Sequence, residues 1–175
     1  MRILTRMSTS LDGYVTTANG WPVQLADPDF SPERYGFDTF QKGVSAVLMG
    51  RSTFEPALGA QRWPWPGLDV YVLASGRPEG TPDNVTLDGD PARLHEQIRT
   101  DHPDGDVHLV GGPSTIQAFH AVGALSQLGL LVLPFLVGGG TQLTPALDPT
   151  TRLTLDHHDA LANGVVEVVY TVQQT

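Results

Sequence analysis

Three short stretches concentrate the chemistry of this chain: Gly50-Arg51-Ser52-Thr53, Ser75-Gly76-Arg77 and Gly111-Gly112-Pro113-Ser114-Thr115. Each follows an apolar run, respectively Val44 to Met49, Val70 to Leu73 and Val107 to Val110. Glycine lets the main chain approach a ligand closely, and the start of a helix presents N–H groups with no intrahelical partner and a partial positive charge. Such a turn accepts phosphate oxygens. Pro113 suits a first helical position, where its missing N–H costs nothing, and Ser114 and Thr115 add hydroxyl donors. Arg51 and Arg77 add guanidinium forks that match phosphate. Taken singly, each stretch also reads as a turn that needs small residues, and Arg51 also reads as a surface partner for Glu55 four residues on. Three together point to a polyanionic ligand.

These stretches need a scaffold that brings them together. Ile3 to Ser8 alternates as a strand does and ends in the turn Ser10-Leu11-Asp12-Gly13. Ser31-Pro32-Glu33 resembles a helix start, with Tyr35, Phe37 and Phe40 on an apolar face. Gly50 opens a second helix, and Asp90-Pro91 caps a third that carries Leu94 and Ile98. The helix from Pro113 carries Ile116, Phe119 and Val122, with Gly123 placed to end it. Leu128 to Val137 is a further apolar run interrupted by Pro134, and Leu153 to Leu155 and Val165 to Val172 are late strands around the turn Asn163-Gly164. Strands alternating with helices predict a mainly parallel sheet between helices, finished by antiparallel strands. In such a sheet ligands sit at the carboxyl ends of the strands, where all three stretches fall.

Composition narrows the function. The 175 residues fit one domain, 1–175, and contain no cysteine, which excludes disulfides, thiolate metal sites and a cysteine nucleophile. A net charge of −9 with Lys42 as the single lysine argues against nucleic acid as partner. No apolar run reaches a membrane span and the start of the chain reads as a strand rather than a signal peptide, so a cytoplasmic protein with a small-molecule substrate is expected. Between Asp106 and Asp148 there is no Asp, Glu, Lys or Arg, which predicts a largely buried stretch. No Gly-x-Ser-x-Gly or Gly-Lys-Ser/Thr is present, which disfavours a hydrolase elbow and ATP hydrolysis. His157-His158 sit next to each other on a strand and face opposite ways, so no metal site is expected.

The usual dinucleotide fingerprint is missing: Gly111-Gly112-Pro113-Ser114-Thr115-Ile116 lacks the G-x-G-x-x-G spacing, and no acid follows to take a ribose hydroxyl. An acid there would repel a 2′-phosphate and the two arginines would attract one. A dinucleotide ligand would therefore be NADPH rather than NADH.

Ser10-Leu11-Asp12-Gly13, Leu48 to Glu55, Val72 to Ser75, Val110-Gly111-Gly112 and Leu133-Pro134 before a glycine triplet, in this order, resemble the dihydrofolate reductase-like superfamily. Within it they are most similar to the reductase domain of the bifunctional riboflavin-biosynthesis deaminase-reductase. The resemblance implies a three-layer α/β/α fold and an NADPH-dependent reductase acting on a C=N or C=O bond of a heterocyclic, pterin- or pyrimidine-like substrate. It places Gly50 to Thr53 and Ser75 to Arg77 at the adenosine phosphate side of NADPH, and Gly111 to Thr115 at the pyrophosphate. Asp12, Trp21, Phe54 and Pro134 would line the substrate pocket, and Asp29 and Glu33 are candidates for a catalytic carboxylate in a region that also holds Asp27 and Asp38. A homodimer is implied as well. Two readings of the residues stay open beside this: Asp12 as a simple turn cap, and Trp63 and Trp65 as a packed loop or a lid. The alternative for the whole chain is a nucleotide-binding protein of the same fold without turnover.

Overall fold

The computed structural model describes residues 1–143, 147 and 149–173. Its strands are β1 (Arg2–Ser10), β2 (Ala46–Gly50), β3 (Asp69–Leu73), β4 (Val85–Asp88), β5 (Asp106–Gly111), β6 (Leu125–Leu133), β7 (Leu153–Ala160) and β8 (Val166–Val172). The helices are α1 (Phe37–Gln41), α2 (Arg51–Leu58), α3 (Pro91–Asp101) and α4 (Pro113–Ala121). The eight strands form one sheet in the order β4-β3-β2-β5-β1-β6-β8-β7. Every pairing from β4 to β6 is parallel, and β8 joins β6 and β7 antiparallel.

Alternation along the strands builds the three layers. Ala46 and Leu48 of β2 point to the α3 and α4 side, into a core with Ile3, Leu94, Ile98, Leu109, Ile116 and Phe119. Val47 and Met49 point the other way, toward Phe54 of α2 and Trp65. On that same side Val23, Tyr35, Leu131 and Leu133 form a third cluster beneath α1. The central strands are covered on both faces, which explains their near-continuous apolar runs.

Local signals account for most ends. Asp90 caps α3 by accepting from the Ala92 and Arg93 N–H groups at 2.8 and 3.3 Å. Gly123, with φ 71°, stops α4. Asn163 and Gly164, at φ 61° and 78°, turn β7 into β8.

Three expectations need correction. The helix expected from Ser31 begins only at Phe37: Tyr35 is buried in the core, and Gly36 takes a left-handed φ of 66° that interrupts any earlier turn. The sheet gains β4, a four-residue edge strand too short to show periodicity. The uncharged stretch is mostly covered through β5, α4 and β6, but the loop beyond is exposed, with Leu136 at 69%.

Candidate functional site

Register brings the three stretches to one rim. Gly50, the last residue of β2, lies opposite Leu73 of β3, and Met49 lies opposite Gly111 of β5. β1 follows on the other side of β5, and its Ser10 lies opposite Leu133 of β6. Five parallel strands therefore end side by side, carrying Ser75, Gly50, Gly111, Ser10 and Pro134 at or just beyond their ends.

The glycines are needed at this rim. A Cβ on Gly50 would sit 2.3 Å from the Oγ1 of Thr115, so β2 can pass the first turn of α4 only with no side chain there. Thr115 is buried, while Ser114 beside it is exposed. Gly111 has a φ of 146°, and a Cβ on it would meet Met7 and, at 3.9 Å, the Oγ1 of Thr53. The peptide between Gly111 and Gly112 is cis. α2 and α4 both start here with a glycine in the cap position and no side-chain cap, in contrast to α3. In α4 this leaves the Ser114 N–H for another acceptor, since Pro113 has none and Thr115 donates to the Gly112 carbonyl at 2.9 Å.

The arginines are partly committed. Arg51 donates through Nε to Glu55 at 2.7 Å, the surface pair weighed above, and both side chains are about half exposed. Arg77 donates to the carbonyls of Pro82 and Val85 at 3.1 and 2.9 Å, which anchors the loop before β4. Ser52, Ser75 and Gly76 are exposed on the rim, and Thr53 is half-buried.

The residues expected around a substrate are placed unevenly. Asp12 accepts from Ser10 Oγ at 2.6 Å and from the Val137 and Gly138 N–H groups at 3.2 and 2.8 Å. The Ser10 hydroxyl, then these N–H groups, hold its carboxyl below the usual range. Asp12 is more than a turn cap: it ties the end of β1 to the loop after β6. Trp21 and Pro134 are exposed on the loops flanking that tie. Phe54 has no exposed surface and packs on Trp63 at 6.3 Å, so it supports the packed Trp63–Trp65 loop instead of lining a pocket.

Asp29 and Glu33 are both exposed, and Asp29 pairs loosely with Arg34 at 3.8 Å. The carboxylate turned inward is Asp27, which accepts from the buried Tyr35 hydroxyl. Burial and then this bond push the Tyr35 hydroxyl upward, so it stays a donor. Tyr35 packs over Leu131 and Leu133, the β6 residues opposite Ser8 and Ser10. Ser8 itself was not singled out in the sequence. Its hydroxyl is buried on the Arg6–Ser10 side of β1 without a partner, and the only signal was the alternation Arg6, Ser8, Ser10.

Fold and rim together define an α/β domain of dihydrofolate reductase-like fold. Residues 84–167 match the family described as the RibD C-terminal domain. The chain resembles a Shewanella sp. PV-4 protein named for riboflavin biosynthesis with a TM-score of 0.81 and 22% identity over 99% of this chain and 100% of that one. A pyrimidine reductase-like protein from Corynebacterium diphtheriae matches with a TM-score of 0.67 and 14% identity over 99% and 92% of the two chains. In sequence, the uncharacterized Bacillus subtilis (strain 168) protein YyaP is 25% identical over 97% of this chain and 94% of its own. Among the described residues no helix is long and apolar enough to cross a membrane.

Proposed function

We propose that the protein is an NADPH-dependent reductase. The observation that carries this reading is the pairing of two uncapped helix starts, α2 and α4, across the Gly50 and Gly111–Gly112 rim. Backbone N–H groups of both helices and the hydroxyls of Ser52, Thr53, Ser75, Ser114 and Thr115 would hold the phosphates, with Arg51, Gly76, Arg77 and Pro113 at the same edge. NADPH, when bound, supplies a hydride to a C=N or C=O bond of a flat, pterin- or pyrimidine-like substrate. The chain's own work is to align the two rings near Ser8 and Ser10 and to keep water out. The Asp27–Tyr35 pair, packed over the end of β6 while Asp29 and Glu33 are exposed, is the proton source we assign.

Titration with NADPH and with NADH, followed by nicotinamide fluorescence, tests the reading. NADPH is expected to bind at micromolar protein and NADH more weakly. Absence of any binding, where a known reductase binds normally, removes the proposal. The second reading, a nucleotide-binding protein without turnover, draws on the commitment of both arginines inside the chain. One clear turnover in a panel of pterins, pyrimidines and imines excludes it.

The same reading makes the protein a homodimer. Leu153, Leu155 and Val166 share one face of the β7–β8 pair and stay 38%, 49% and 41% exposed, an apolar face that a second copy would cover. Sedimentation is expected at the mass of two chains; a single-chain mass at all concentrations refutes this point.

A further inference from the structure

Away from the rim, on the α1 side of the sheet, lies a cavity of about 310 Å³ between α1 and the first halves of β1 and β6. Arg6, Glu167, Phe40, Thr39, Gln127 and Gly129 are among its walls. Arg6 stands four residues before Ser10, so at about 3.3 Å per strand residue it is roughly 13 Å from the rim. A ring bound here is out of reach of a nicotinamide seated there.

The cavity is built around one incompletely used ion pair. Arg6 is 7% exposed and donates through Nε to Glu167 Oε1 at 2.7 Å, while its Nη1 is buried with no partner. Its guanidinium lies 5.0 and 5.5 Å from the ring centres of Phe37 and Phe40, and Gly36 leaves room for it, since a Cβ there would come within 3.2 Å of Nη2. Among the described residues the Glu167 carboxylate makes this single hydrogen bond, through Oε1, which leaves Oε2 as a free acceptor. Gly129 keeps the floor bare, because a Cβ on it would lie 2.5 Å from the Thr5 carbonyl. A buried guanidinium N–H without an acceptor is costly, and a ligand that accepts from it relieves that cost.

Charge then selects the ligand. Arg6 is balanced by Glu167, and Arg2 at the mouth is balanced by Asp106. Asp156, bonded to Gln127, and Asp159, opposite Glu167, add negative charge nearby. Among the described residues that line the cavity, no cation is left over for a phosphate or carboxylate. We propose that this cavity binds a small, flat, uncharged molecule with a cis-amide edge, as in a lactam or ureide ring: its carbonyl accepts from Arg6 Nη1, its neighbouring N–H donates to Glu167 Oε2, and Phe40 covers its face.

Uracil is a suitable probe, followed by amide and side-chain NMR shifts of the whole protein, with 1,3-dimethyluracil and inorganic phosphate as controls. Uracil is expected to shift resonances of Arg6, Phe40 and Glu167 equally with and without NADPH. Affinity should fall at least about tenfold for dimethyluracil and for Glu167→Gln, and phosphate should not bind. Thr39→Trp fills the cavity from the exposed side of α1 and should abolish the shifts, which decides the matter if Glu167→Gln fails to fold. No shift at the cavity, shifts only elsewhere, or equal binding of dimethyluracil overturns the proposal. Loss of NADPH binding leaves it standing, so the two readings fail separately.

Discussion

Lowering the pH from 7 to 5 is expected to cost the protein about 2 kcal/mol of stability through His108 alone, and about 3 kcal/mol by pH 4. His108 sits on β5 beneath Phe40, 4.7 Å from its ring centre, with both ring nitrogens buried and unpartnered. Burial lowers its pKa from 6.5 to about 4, against an opposing contribution from the Arg6 backbone and with a smaller lowering from the Arg6 charge. The unfolded chain therefore takes up a proton between those values that the folded chain refuses. Stability from this group is complete above pH 6.5 and drains away as pH falls toward 4. His95 on α3 shifts in the same direction, also mainly by burial, so the effect must be isolated. His108→Leu removes the titration and should flatten the dependence, leaving only what His95 contributes. Urea unfolding of both proteins at pH 7 and pH 5 measures it. A wild-type stability that is unchanged between these values, or an equal loss in the variant, shows that His108 is solvated when folded.

The second large effect is on coenzyme binding. Gly112→Ala should weaken NADPH binding at least about tenfold, or about 1.4 kcal/mol, while leaving the melting temperature unchanged. Gly112 has extended φ and ψ of −94° and −168°, and a Cβ built on it meets nothing within 4 Å. The protein has room for the methyl group. A phosphate resting on the first turn of α4 does not, because close backbone approach is what glycine provides there. Gly50 behaves oppositely: its substitution collides with Thr115 and damages the fold itself. Normal NADPH affinity in Gly112→Ala, measured beside an unchanged melting curve, would place the coenzyme elsewhere.

How far the sequence could be read follows from how local each signal is. The rim was legible because its marks are contiguous: glycine, then hydroxyls, directly after an apolar run. The order of strands and helices was legible for the same reason. β4 escaped because Val85 to Asp88 offers only four residues after a proline-bearing loop. The helix at Ser31 was overestimated because proline at its start is a local cue, whereas the pull of Tyr35 into the core and the left-handed Gly36 are set by tertiary packing. The backbone partners of Asp12 in the loop after β6 lie 125 and 126 residues away, and those of Arg77 need a closed loop. Asp27 became distinguishable from Asp29 and Glu33 only once Tyr35 was seen to hold it.

The place of β1 also bears on how the chain is made. It lies between β5 and β6, and its Arg2 bonds to Asp106 across 104 residues. A ribosome delivers β1 long before either neighbour, so the middle of the sheet stays open until residues 125–133 emerge, and the nascent chain must carry an unpaired apolar strand until then. Synthesis rate and chaperone supply, more than the final stability, should then govern the yield of folded protein.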